Sequence, residues 1–135
     1  MKQGFCRTRG VRLAFGLSAL LCLVTPSLAA LPPAEAYQLH CSGCHGMDGA
    51  GVEEAVPALT DLARLVHLPG GRAYLASVPG VAQAPLASPE LAALLNWLLL
   101  TMSIGTDFTP YTAEEVDRWR QHPLRDPLAA RPTDE

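Results

Sequence analysis

Residues 37–51 read Tyr-Gln-Leu-His-Cys-Ser-Gly-Cys-His-Gly-Met-Asp-Gly-Ala-Gly. Within them, Cys41, Cys44 and His45 constrain the possible folds more than any other part of the chain. Two thiols three positions apart share one side of a helical turn, and an imidazole follows at once. The surroundings discriminate between the uses of such a pair. A thioredoxin-like redox pair needs a strand before it in a β-α-β setting, whereas the residues before Cys41 read as helix. A zinc site takes four ligands. Only His40 and His45 are near, and the sequence has no second Cys pair beyond the N-terminal segment. A disulfide would leave His45 without a part. The reading that uses all three residues is covalent attachment of one haem c, each thiol adding to a vinyl group and the adjacent His45 binding the iron as proximal ligand. Ser42 and Gly43 are small enough for the ring to lie against the backbone. A chain loaded in this way must close a core around a large apolar plate.

The N-terminal segment has its own pattern. Lys2, Arg7, Arg9 and Arg12 crowd the start, and all acidic residues lie beyond position 34. Leu13 to Val24 is an apolar run of 12 residues, followed by Thr25-Pro26-Ser27-Leu28-Ala29. A basic start, a short apolar stretch and small residues before the cut describe a secretory signal peptide, with cleavage expected after Ala29. The run is short against the roughly 20 residues of a spanning helix. Cys22 follows two leucines rather than a small residue, and Arg7 and Arg9 are not adjacent, so neither lipidation nor twin-arginine export is expected. The expectation is a periplasmic protein with no membrane span after cleavage.

Residues 30–135 retain six arginines, no lysine and all 13 acidic residues, a net of −7. Clustered basic residues for phosphate contacts are missing, which disfavours nucleic acid as a partner. The acidity favours redox partners with neutral or basic docking faces. Cys6 and Cys22 leave with the signal peptide, so Cys41 and Cys44 remain alone in an oxidising compartment.

Helical patterns dominate the rest. Pro32-Pro33 and Glu35 open a predicted helix over 34–45. Glycines 46, 49 and 51 demand a loop, and 52–59 reads as irregular. A short helix is expected over 60–67, capped by Thr60 or Asp61, and another over 72–78, stopped by Pro79-Gly80. Residues 81–87 read as loop. Ser88-Pro89-Glu90 is a strong helix start with Ser88 as N-cap. Leu91, Leu94, Leu95 and Leu98 then form a buried stripe to about Met102. Leu99 and Leu100 lie off that stripe, and a helix apolar nearly all round needs cover on more than one side. The tail, with Phe108, Tyr111 and Trp119, is a candidate for that cover. Thr112 and Glu115 form a capping box for a helix to about Gln121. Pro123, Pro127 and Pro132 predict little order at the end.

With these residues in view, 32–101 resembles the class I cytochromes c. The resemblance implies an all-α, cytochrome c-like fold of roughly three to five helices around one haem. It divides the chain into a signal peptide (1–29), a cytochrome c domain (30–103) and a C-terminal extension (104–135). It implies that the carbonyl of Pro57 accepts the other ring N–H of the ligand histidine, a bond that fixes tautomer and basicity. It also implies packing of Tyr37 on the first helix against Trp97 on the last. Arg72 is a candidate partner for a haem propionate. The chain departs from the family where a distal Met is usual: that place reads Val78-Pro79-Gly80, and valine cannot ligate iron. The distal candidates are His67, Met102 or no protein ligand, with 81–84 lying over that face and Gln83 as a polar contact.

Electron transfer is the function that the resemblance implies, between a periplasmic dehydrogenase and a terminal acceptor, with the protein a carrier rather than an enzyme and weak peroxidase-like activity a variant of the ligand-binding alternative. The missing Met raises a haem-based small-ligand binder or sensor as an alternative, since distal polarity and access decide between the two roles. The apolar 91–100 helix raises another, a dedicated cytochrome subunit of a dehydrogenase complex.

Overall fold

The computed structural model describes residues 30–103 and 107–133. The predicted signal peptide lies outside the described residues. Seven helices are formed among the described residues: α1 Pro33–His40, α2 Ser42–His45, α3 Leu62–His67, α4 Gly71–Ser77, α5 Pro79–Ala82, α6 Ser88–Thr101 and α7 Ala113–Arg120. Among them the sole β pairing is an isolated bridge between Val52 and Val56. The fold is all-α, and no described helix is long and apolar enough to cross a membrane.

The predicted 34–45 helix is two helices. Cys41 leaves helical geometry at φ −125°, and its carbonyl then accepts from the amides of Cys44 and His45 at 3.1 and 3.0 Å. The break re-aims the Cys41–His45 turn relative to α1. The stretch expected to be loop after Pro79 opens with one helical turn, because proline's fixed φ suits a first helical position. Two caps also differ. The N-cap of α6 is Ala87, whose amide donates to the Glu90 carboxylate at 2.8 Å. Ser88 instead donates its hydroxyl to Asp117 on α7 at 3.0 Å. Asp61 is the N-cap of α3 without a side-chain cap, because its carboxylate holds Arg64. The capping box at Thr112 and Glu115 forms as its spacing predicts, at 3.2 and 3.1 Å.

α6 is the axis of the core. Leu91, Leu94, Leu95 and Leu98 are buried, and so is Leu99. α1 covers one side, where the Tyr37 and Trp97 rings meet at 5.7 Å between centroids. α7 covers another, bringing Tyr111 and Val116 into the core. The polar residue in that helix has a use there. Asn96 donates to the Tyr111 carbonyl at 3.0 Å and accepts from the Tyr111 amide at 2.7 Å. It pairs with the incoming chain as a backbone strand would. Burial raises the Tyr111 hydroxyl's pKa despite the nearby Arg72 guanidinium, and the hydroxyl donates to the Arg72 carbonyl at 3.0 Å.

The end of the chain, where the prolines predict little order, runs back over α4. The Leu124 amide donates to the Ser77 carbonyl at 2.9 Å, and the Tyr74 hydroxyl to the Pro127 carbonyl at 3.0 Å. Proline blocks helix continuation but not a fixed path held by its neighbours' hydrogen bonds.

Candidate functional site

The Cys41–His45 turn is built from the backbone outward. Cys41 is half-buried against the core and Cys44 is exposed, and both thiols are free. Burial, then the neighbouring Cys44 sulfur, raises the Cys41 pKa, so the thiol stays protonated at neutral pH. A side chain added at Gly43 would meet nothing within 4 Å, so the space beside this residue between the thiols is open. His45 closes the turn. Its Nδ1 lies 3.0 Å from the Pro57 carbonyl oxygen, which as a pure acceptor requires the proton on Nδ1. Nε2 is therefore left with a lone pair, the form in which imidazole binds a metal.

The loop after His45 holds that carbonyl in place. The Tyr37 hydroxyl donates to the Gly46 carbonyl at 2.5 Å. The Gly51 amide donates to the His45 carbonyl at 2.8 Å, and the Leu59 amide to the Gly49 carbonyl at 2.8 Å. Gly51 sits at φ +72°, and a Cβ there would collide with the Val56 carbonyl oxygen and lie 2.9 Å from that of Pro57. Only glycine lets the two limbs of the loop approach this closely.

The other sequence candidates are elsewhere. The His67 ring Nε2 bonds the Asp107 carbonyl. Arg72 is held by the extension: it donates to the carbonyls of Thr109 and Pro110, pairs with Glu115 at 2.8 Å, and lies 4.2 Å from the Tyr111 ring centroid. Met102 lies at the α1–α6 crossing, its sulfur beside Gly49, in an open cleft shared with Met47, Tyr37 and Trp97. Among the described residues no three His, Cys, Asp or Glu side chains converge to hold a metal ion, which argues against a zinc reading of the pair.

Arg120 is not a residue that the sequence singles out. Its guanidinium donates to three carbonyls at the end of α5 and in the segment joining it to α6: Ala82 at 3.1 Å, Leu86 at 2.6 Å and Ala84 at 2.7 Å. An arginine in the last turn of an amphipathic helix reads as an ordinary dipole partner. Nothing in the sequence ties it to a loop more than 30 residues away.

No family model matches the chain. One cytochrome c-552 of Thermus thermophilus is 32% identical over 130 residues, covering 80% of this chain and 87% of that protein. A second Thermus thermophilus cytochrome c-552 is 32% identical over 106 residues, covering 62% of this chain and 81% of its own. The chain belongs to the c-type cytochromes. As such it binds haem c covalently and carries electrons between redox proteins rather than catalysing a reaction. The free thiols on one turn, the open space between them and the metal-ready Nε2 suit that group.

Proposed function

We propose that this protein is an exported, single-haem electron carrier in which Cys41 and Cys44 bear the haem thioethers and His45 supplies the proximal iron ligand. The observation that carries the proposal is the pairing of His45 Nδ1 with the Pro57 carbonyl beside two free thiols on the same turn. Bound haem supplies a one-electron iron couple, with a potential set by ligands, hydrogen bonds and burial. The protein's part is to hold the imidazole. Pro57 fixes the ring's tautomer and orientation and raises the basicity of Nε2. Cys41, packed against the core, and exposed Cys44 keep the ring attached at the surface, where a partner can approach one edge.

The 1–29 segment directs export and is removed after Ala29; residues 30–103 form the haem domain and 104–135 the extension. The partners are a periplasmic dehydrogenase and a terminal acceptor, with docking faces that are neutral or basic to match the −7 of residues 30–135. By the resemblance to the class I cytochromes c, segment 78–87 would lie over the face of a bound haem opposite His45. Leu86 of that segment is in the apolar core, and Val81, Ala84 and Cys41 pack against it.

A second reading, reversible binding of a small ligand at the iron, has an observation of its own. Segment 78–87 contains no Met, His, Lys or Cys, while the His67 ring bonds the Asp107 carbonyl and the Met102 sulfur lies beside Gly49.

Acid extraction of the purified holoprotein tests the attachment. Haem should remain with the polypeptide, and a Cys41→Ser/Cys44→Ser double variant should lose it. Covalent haem in the double variant would sink the proposal. Spectra of the reduced protein with carbon monoxide separate the second reading: prompt binding supports it, and an unchanged spectrum removes it.

A further inference from the structure

The chain from the end of α5 to the start of α6 is a tight, irregular turn. The Ala84 amide donates to the Val81 carbonyl at 3.2 Å, and the Leu86 amide to the Ala84 carbonyl at 2.8 Å. Ala82 and Leu86 are buried, with Gln83 and Pro85 exposed between them. Its carbonyls at 82, 84 and 86 converge on one group, the Arg120 guanidinium. That group comes from the last turn of α7, in the extension. A guanidinium offers several donors in a rigid plane, so a single side chain can fix three acceptors at once. Donor charge strengthens each bond, and partial burial limits competition from water. α7 is itself anchored on the same side by the Ser88 hydroxyl, which donates to Asp117 at 3.0 Å, and by the Ser77 hydroxyl, which donates to the Trp119 carbonyl at 3.1 Å.

A segment over an iron is ordinarily tethered by its own ligand to the metal. Segment 78–87 has no side chain that binds haem iron well; Gln83 is its one polar residue with a functional head group. The tether must come from the protein. We infer that Arg120 is a positioning residue for the iron's distal face: it clamps the 82–86 turn at a fixed height there and so limits entry of external ligands to the metal. The inference rests on the placement of 78–87 proposed above.

The test uses holoprotein variants Arg120→Ala and Arg120→Lys, with Arg72→Ala as control. Arg72 also anchors the extension, through Glu115 and the Thr109 and Pro110 carbonyls, but does not touch the turn. Two quantities are read at a temperature where all variants retain native circular dichroism. One is amide hydrogen exchange at 82–86; the other is the association rate of carbon monoxide with the reduced protein after flash photolysis. In Arg120→Ala both should rise at least about tenfold, with lysine intermediate and Arg72→Ala within about twofold of wild type. Unchanged exchange in Arg120→Ala would show that the clamp does not hold the turn. Faster exchange with unchanged carbon monoxide association, or no association in any variant, would show that the turn does not control the iron. Either overturns the inference while leaving covalent attachment, tested separately by extraction, intact. Should Arg120→Ala fail to load haem, Arg120→Lys decides alone: wild-type values in both measurements reject the inference.

Discussion

His45 has one ring nitrogen bound and one free, and the bound one faces a main-chain oxygen. That detail separates the consequences of two nearby substitutions. Pro57→Ala keeps the carbonyl and removes only the ring's restraint on φ, an effect of about 0.4–1 kcal/mol on stability. Gly51→Ala strikes the carbonyls themselves, since its Cβ would collide with Val56 oxygen and crowd that of Pro57. It also demands a positive φ that alanine resists, at roughly 1–2 kcal/mol. Redox titration should therefore find Gly51→Ala shifted from wild type and Pro57→Ala close to it. An equal shift in the two would mean that the His45–Pro57 bond is not what Gly51 protects. Neither difference is visible in a motif match. The motif names His45, but the close approach of the two loop limbs is a property of coordinates.

At the scale of elements, α6 is defined by how it is covered. Its leucine stripe and its start at Ser88-Pro89-Glu90 are legible from periodicity and capping preference, and the helix ends at Thr101, near the expected place. What reads as a lone polar interruption, Asn96, is the joint between helix and extension. Asn96→Ala removes both bonds and leaves the Tyr111 amide and carbonyl without their side-chain partner. The expected loss is about 2–4 kcal/mol in denaturant unfolding. Faster amide exchange should be concentrated at 111–120 rather than in α1. A loss below about 0.5 kcal/mol would show that water replaces the side chain at no cost. The N-cap shift from Ser88 to Ala87 has a similar origin. Ser88 can cap a helix or bond Asp117, and the arrival of α7 decides in favour of the second. The short α5 was not legible because proline punctuates a helix in either direction, ending one and starting the next.

Across the molecule, charge sets how partners meet the protein. Residues 30–135 hold six arginines against 13 acidic residues. Two of those arginines face inward in function: Arg72 pairs with Glu115, and Arg120 is spread over three carbonyls. The outer field is negative. Reduction of the holoprotein by a cationic small-molecule reductant should slow as ionic strength rises, and reduction by an anionic one should speed up, since salt screens attraction and repulsion alike beyond about 10 Å at 0.1 M. Stopped-flow rates over a salt series measure the slopes; opposite signs would place the electron-transfer edge in a locally positive patch. The covalent chemistry and the helical class can be read without coordinates. Haem attachment needs two thiols and an imidazole at a local spacing, and helix formation follows a local period, so both are written in adjacent residues. The remaining assignments needed the packed chain: why Asn96 interrupts a leucine helix, and where Arg72, His67 and Arg120 spend their donors. Those pairings join residues 15 to 43 positions apart, and hydrogen-bond capacity is too general a property for sequence to reveal its partner at that range.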